Sequence, residues 1–174
     1  MAKLLTPIWL NKSAPNVAKK LLGKYLVRRL NGRIKSYKIT ETEAYGGPKD
    51  RASHAFGGRR TKRTEVMFGE AGHWYVYFTY GVHWMLNIVV GRSGHPAAVL
   101  IRAVQGLSGP ARLTKHLKIN KNLDGRLANK KSGLWLEERG EKIPAKNIKK
   151  APRVGVNYAG SYWSKKKWRF YLGD

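Results

Sequence analysis

Cysteine is absent from the chain. Without a thiol there can be no disulfide framework, no thiolate zinc or iron–sulfur centre and no cysteine nucleophile, an absence that fits a reducing compartment without requiring one. Carboxylates are scarce: ten Asp and Glu stand against 35 Lys and Arg, a formal net charge of +25 over 174 residues. Such a surface repels itself unless it meets a polyanion, with nucleic acid the first candidate and an anionic membrane surface the second. No apolar run approaches the roughly 18 residues of a spanning helix, and the N-terminal stretch Met1-Ala2-Lys3-Leu4-Leu5-Thr6-Pro7 lacks a signal-peptide core. The expected setting is intracellular, cytoplasmic or nucleoid-associated, nuclear if the source is eukaryotic. Sequence signatures of several enzyme classes are missing too. His54, His73, His83, His95 and His116 show no His-Glu-x-x-His spacing, and no His-x-Glu is followed by Pro-Cys-x-x-Cys, which excludes a zinc deaminase and leaves a zinc hydrolase unsupported. There is no Gly-x-Ser-x-Gly elbow for a serine hydrolase.

What is present is a folded body. Six Trp, nine Tyr and four Phe, within a hydrophobic share of 42%, are too many for a disordered basic tail, and the length suits one domain. Ser13-Ala14-Pro15 followed by Val17, Leu21 and Leu22 predicts an N-capped helix ending near Gly23. Asn31-Gly32 between the runs 25–30 and 33–42 predicts a tight hairpin. Alternation along its second strand sets Tyr37, Ile39, Glu41 and Glu43 on one side and Lys38, Thr40 and Thr42 on the other. Periodicity is lost over 46–72, which reads as an ordered functional loop or short helices. The runs 73–79 and 83–90 flank Tyr80-Gly81 as a second hairpin. Residues 97–104 form a further strand, and Ser108-Gly109-Pro110 opens a helix through Leu113 and Leu117. The stretch 120–150 is loop-like apart from a short strand at 133–137, and 153–158 and 168–172 close the chain as strands.

Three groups of residues could carry chemistry. In Glu41-Thr42-Glu43-Ala44-Tyr45 a carboxylate sits inside an apolar strand, where burial is costly unless the group is paired or has work to do. On the residues alone, pairing with one of the many basic side chains is the heavier reading. Gly57-Gly58-Arg59-Arg60-Thr61-Lys62-Arg63 can hold phosphates through backbone N–H groups and guanidinium forks, though it lacks the Gly-Lys-Ser/Thr ending of a nucleotide-binding loop. Tyr75, Tyr77 and Tyr80, with Trp74, Phe78 and Trp84, make the densest aromatic stretch. About half of these rings belong to the core by alternation, but Tyr80 at a hairpin tip is exposed and suits stacking on a base.

The strings Glu41-Thr42-Glu43-Ala44-Tyr45-Gly46-Gly47-Pro48-Lys49-Asp50, Ala52-Ser53-His54, Arg63 through Met67-Phe68, and Tyr75-Val76-Tyr77-Phe78-Thr79-Tyr80-Gly81 with Asn87 resemble the alkyladenine (3-methyladenine) DNA glycosylases. The likeness continues in order through Val99-Leu100-Ile101-Arg102-Ala103, Gly109-Pro110, Ile119-Asn120-Lys121, Arg153-Val154-Gly155-Val156 and Trp168-Arg169-Phe170-Tyr171. It covers nearly the whole chain. The resemblance implies an α+β fold: a single mixed domain over 1–174 with a curved antiparallel sheet, flanking helices and a protruding β-hairpin that inserts into DNA. It implies a monofunctional glycosylase that flips alkylated or deaminated purines out of duplex DNA and hydrolyses the N-glycosidic bond. The implied catalytic residues are Glu43, which activates the water, and Arg102, which helps to hold both; the backbone around Val154 supplies a further acceptor. Tyr45, His54 and Tyr77 form the base pocket, where aromatic faces attract cationic purines. Asn87 crowds the exocyclic amine of normal guanine, and Tyr80 intercalates. Arg59, Arg60, Lys62 and Arg63 are assigned to phosphate. No metal or organic cofactor is implied, and the partner is damaged double-stranded DNA met by a monomer that needs no obligate protein partner and no membrane. Phe56 with Gly57-Gly58, and His83-Trp84 after Tyr80, are departures that would alter the lesions accepted.

A non-catalytic binder of DNA or structured RNA on the same scaffold is the alternative. It leaves Glu43 unexplained, since a carboxylate in a polyanion-binding groove repels phosphate. A membrane-surface protein fits less well, because the basic residues are spread along the chain rather than gathered on one amphipathic helix.

Overall fold

The computed structural model describes residues 1–173. Its strands are β1 (Lys3–Leu4), β2 (Tyr25–Leu30), β3 (Arg33–Tyr45), β4 (Trp74–Thr79), β5 (His83–Val90), β6 (Ala97–Val104), β7 (Leu107–Ser108), β8 (Leu134–Glu138), β9 (Ile148–Ala151) and β10 (Arg169–Leu172). The helices are α1 (Pro7–Leu10), α2 (Ala14–Leu21), α3 (Pro110–His116) and α4 (Gly160–Lys165), with several single 3-10 turns between them. All strand pairs are antiparallel, in the order β1-β8-β2-β3-β6-β5-β4, with β10 bridging β3 and β9. The result is a strongly curled sheet in a single compact α+β unit. Among the described residues no helix is long and apolar enough to cross a membrane.

The curl originates in β3. Its first half pairs with β2, from Arg33 opposite Leu30 to Lys38 opposite Tyr25. Its second half leaves β2 and lies between β6 and β10, with Glu43 opposite both Leu100 and Arg169. The register with β6 shifts between Ile39 and Glu41 and shifts back between Glu41 and Thr42. Such a bulge bends a strand and re-aims its side chains. It corrects the alternation expected from the sequence: Tyr37 and Ile39 pack in the main core, whereas Glu41 and Glu43 point to the other face and Thr42 and Ala44 take over the core side. The Thr42 hydroxyl donates to the Ala18 carbonyl of α2 at 2.9 Å, fastening helix to strand.

β6 is buried along its length except at half-buried Arg102. Val99 and Ile101 meet Val17, Leu21, Ile88, Leu113 and Leu117 in the main core beneath α2 and α3. Ala14, Val17, Ala18 and Leu21 give α2 its apolar face at helical spacing, although the Ser13 hydroxyl makes no capping bond. On the opposite face of the sheet lie two smaller clusters. Ala55, Met67, Tyr75, Val89 and Ala98 anchor the 46–72 segment, and Ala52, Val156 and Ala159 anchor the turn after β9. The 46–72 segment is ordered by 3-10 turns at Phe56–Gly58 and Glu65–Phe68.

Both expected hairpins form. Asn31-Gly32 supplies the two consecutive positive φ values, 49° and 75°, of a two-residue turn between Leu30 and Arg33; Tyr80-Gly81 also hold positive φ, 54° and 66°, but Thr79 pairs with His83, so this loop spans residues 80–82. Two segments depart from expectation. Ile148–Ala151, at the end of the stretch expected to be a loop, pairs with β10 as the edge strand β9. Residues 153–158 are not a strand: Val154 and Gly155 lie in a turn, and Asn157–Ala159 is a 3-10 turn leading into α4, which the sequence reading did not anticipate. Gly155 and Gly160 hold φ at 73° and 82°, which breaks any strand built on Val154 and Val156.

What replaces the strand is a buried ion pair. Arg153 donates from both terminal nitrogens to Asp50, at 2.6 and 2.9 Å, and from Nη1 to the Ala44 carbonyl at 2.8 Å, with both side chains withdrawn from solvent. Asp50 also accepts from the N–H groups of Gly46 and Ala52. The pair joins the end of β3, the 46–72 segment and the 153–159 turn. Removing one partner strands a buried charge, so Asp50→Ala should cost about 3–5 kcal/mol of unfolding free energy by urea titration; a loss below 1 kcal/mol would show the pair to be dispensable.

Candidate active site

The two segments that Asp50 and Arg153 join enclose a cavity of about 620 Å³ on the sheet face opposite the main core. That volume lies within the range of small-molecule sites. β3 contributes Glu43 and Tyr45; the 46–72 segment His54, Arg59 and Arg63; the β4–β5 hairpin Tyr77, Tyr80 and Asn87; β6 Arg102; and the 153–159 turn Val154, Gly155 and Tyr158. The Tyr158 hydroxyl donates to the Ala52 carbonyl at 2.7 Å, a second tie across the mouth.

Glu43 is buried yet lines this cavity. Its Oε1 accepts from the Val154 N–H at 2.8 Å and lies 3.5 Å from Arg102 Nη1, and its Oε2 accepts from the Tyr45 hydroxyl at 2.8 Å. A carboxylate offers about four lone-pair sites, so these three neighbours leave room for one more donor. Burial pushes the Glu43 carboxyl above the usual carboxylate range; Arg102, the Val154 N–H, the Tyr45 hydroxyl and Arg153 pull against it. The Val154 backbone reaches Glu43 through its N–H, which donates to the carboxylate. Glu41 does what the pairing reading foresaw: its Oε1 accepts from Arg102 Nε at 3.1 Å and Arg169 Nη1 at 3.0 Å. An Arg169–Glu41–Arg102–Glu43 chain of alternating charge thus ends at the cavity. The sequence reading missed the role of Glu41 in holding Arg102; the Glu-x-Glu spacing on one strand face is the signal that could have revealed it.

The aromatic walls are equally fixed. Burial, with help from Glu43, raises the Tyr45 phenol well above its usual range, and Arg153 stands over the Tyr45 ring at 4.9 Å. His54 Nδ1 shares a 2.9 Å hydrogen bond with the Tyr75 hydroxyl and sets its ring edge-on to Tyr77, centroids 4.7 Å apart. The Tyr75 phenol is pushed up to about 12, chiefly by burial. Asn87 is buried, and its Nδ2 donates to the Tyr75 carbonyl across the β4–β5 pair at 3.1 Å, which fixes the amide's orientation. Tyr80 stands at the hairpin tip, 83% exposed, in a left-handed backbone conformation unusual for a bulky residue. A side-chain carbon at Gly155 would lie 3.7 Å from its hydroxyl, so the ring leans over the cavity mouth toward the 153–159 turn.

The four basic residues of the Gly57–Arg63 loop separate. Arg60 is engaged by Glu65 at 2.6 and 2.9 Å and lies over Phe68, away from the cavity. Lys62 is exposed and outside the cavity lining. Arg59 and Arg63 line it, and Arg63 sits over the Tyr77 ring at 4.7 Å.

The Methylpurine-DNA glycosylase family profile matches residues 8–108 and 105–174. Three proteins named "Putative 3-methyladenine DNA glycosylase" illustrate the similarity. The one from Carboxydothermus hydrogenoformans is 43% identical over 90% of this chain and 88% of its own; that from Bdellovibrio bacteriovorus is 42% identical over 91% and 89%; that from Natranaerobius thermophilus is 37% identical over 94% and 92%. The chain therefore belongs to the methylpurine-DNA glycosylase family. Membership places it among the DNA glycosylases, hydrolases that begin base excision repair, with DNA as the substrate.

The His54 environment generates a pH prediction. Burial, and then the charge of Arg63, lower its imidazole to about 4 from an ordinary 6.5. Because the unfolded chain takes up the proton first, the stability contributed by neutral His54 is present above about pH 6.5 and is lost as pH falls toward 4. Over that window His54→Gln should lose less stability than the parent, followed by thermal unfolding at successive pH values. Parallel curves would remove His54 from the acid response.

Proposed function

We propose that the chain is a monofunctional DNA glycosylase that draws alkylated or deaminated purines out of duplex DNA and hydrolyses their N-glycosidic bond with a water activated by Glu43. The carrying observation is a carboxylate buried in a cavity mouth of a strongly basic protein, held by three neighbours with capacity for a fourth. Bond breaking passes through an oxocarbenium-like sugar, which an adjacent carboxylate stabilises. The C1′–N bond breaks with its electron pair leaving on the base, water oxygen bonds to C1′, and the water's proton goes to Glu43. Arg102 and the Val154 N–H keep the carboxylate in place. The purine lies among Tyr45, His54 and Tyr77, with Asn87 set against the exocyclic amine of guanine. Tyr80 fills the gap left in the stack. Arg59 and Lys62 remain as the loop's phosphate contacts, Arg60 being held by Glu65.

Glu43 works as a base only when ionised. Since its carboxyl is raised, excision should fall on the acid side along a limb lying above the ordinary carboxylate value of 4.5. Glu43→Gln keeps the shape and removes the charge. It should bind lesion duplex as the parent does, melt no lower at pH 7, and lose at least about a hundredfold in excision. The assay is single-turnover cleavage of a duplex carrying one hypoxanthine or one alkylated purine, developed with alkali. Retained turnover in the variant refutes the assignment, and tight binding by a parent that cuts no lesion would make the protein a binding module. Tyr80→Ala should weaken lesion-specific binding more than non-specific binding; equal losses in a competition titration would reduce Tyr80 to an ordinary contact.

A further inference from the structure

The rings assigned to the base are already occupied on one side by cations. Arg153 lies over Tyr45 from within the protein, pinned by Asp50, and Arg63 lies over Tyr77 at 4.7 Å. Arg63 reaches into the cavity from the exposed loop, 3.5 Å from the Phe78 carbonyl, close enough to His54 and Tyr75 to disfavour charge on the imidazole and favour it on the phenol. Four guanidinium groups, Arg51, Arg59, Arg63 and Arg102, line the cavity against one carboxylate, Glu43. An aromatic pocket by itself attracts cationic bases through the negative face of its rings. That attraction is weakened where a guanidinium already engages the ring, and a positive base also meets the nearby charge directly.

We infer that Arg63, seated on Tyr77, sets the lesion preference of this site by favouring neutral purines such as hypoxanthine over permanently cationic alkylpurines. The inference rests on the glycosylase reading above and adds the substrate class. The chemistry of departure gives the same sign as the stacking. When the C1′–N9 bond breaks, the base takes the electron pair. A neutral purine then develops negative charge that a guanidinium stabilises below the level of the free substrate, whereas an alkylated purine, repelled on binding, only recovers that repulsion as it passes from cation to neutral. Arg63 therefore helps the neutral lesion in the transition state and opposes the cationic one on binding.

The test compares two duplexes identical except for one hypoxanthine or one 7-methylguanine. The quantity read is the ratio, hypoxanthine to 7-methylguanine, of the single-turnover rate constant divided by the half-saturating protein concentration. Any general loss of DNA affinity cancels in that ratio. Arg63→Met keeps the bulk of the side chain and removes its charge and plane, and should lower the ratio by between about twofold and thirtyfold, the span of one cation–π contact from exposed to desolvated. Arg59→Met removes a charge from the same cavity lining and should weaken both substrates alike, leaving the ratio where it was. An unchanged or increased ratio in Arg63→Met overturns the inference, as does an equal shift in Arg59→Met, which would make the effect one of overall charge. A parent that cuts neither duplex ends the glycosylase reading itself, and this inference with it. A parent that cuts both while Arg63→Met leaves the ratio unmoved ends this inference alone.

Discussion

A carboxylate removed from water must be held by donors, and the donors that hold Glu43 come from three distant parts of the chain. Tyr45 lies two residues along the same strand, Arg102 is on the neighbouring strand, and the Val154 N–H arrives from a turn more than a hundred residues later. Each donor is itself anchored. Arg102 is tethered by Glu41, and the Val154 turn is tied down by the adjacent Arg153–Asp50 pair. Burial of one charge therefore organises a network of others, because an unpaired charge in such a place would cost several kcal/mol.

The bulge in β3 makes this possible. Continued alternation would have kept Glu41 and Glu43 on the face of Ile39, inside the main core. The shift instead delivers the carboxylates to the opposite face while Thr42 turns to α2. The same strand changes partner from β2 to β10, so the sheet curls around the main core and leaves its other face free for the 46–72 segment and the 153–159 turn. Scaffold and site thus lie on opposite faces of one sheet: α2 and α3 pack below, and the cavity opens above.

The large positive charge is not uniformly available to a polyanion. Arg153 is sealed beneath Tyr45, Arg60 is neutralised by Glu65, Arg102 and Arg169 converge on Glu41, and Arg63 rests on an aromatic ring. Several guanidinium groups are structural or sit inside the cavity. The exposed lysines, and exposed arginines such as Arg33, Arg59 and Arg92, remain for the solvent-facing field.

Much of this was legible in the sequence wherever the signal is local. Asn31-Gly32 declares its hairpin because Asn-Gly readily takes two consecutive positive φ values, the β-prone runs on either side of Tyr80-Gly81 declare the second, and the spacing of Val17 and Leu21 declares α2. The basic excess pointed to nucleic acid, and the strings around Glu43 and Tyr80 to the family. Tertiary structure alone decided the rest. The bulge that turns Glu41 and Glu43 to the cavity depends on pairing with β6, and the 153–159 turn is ordered by partners a hundred residues away that override the strand tendency of Val154 and Val156. Which arginines face solvent and which are spent on Asp50, Glu41 or Tyr77 could not be read along the chain, because the energy of a charge depends on what surrounds it after folding, and only the fold brings those neighbours together.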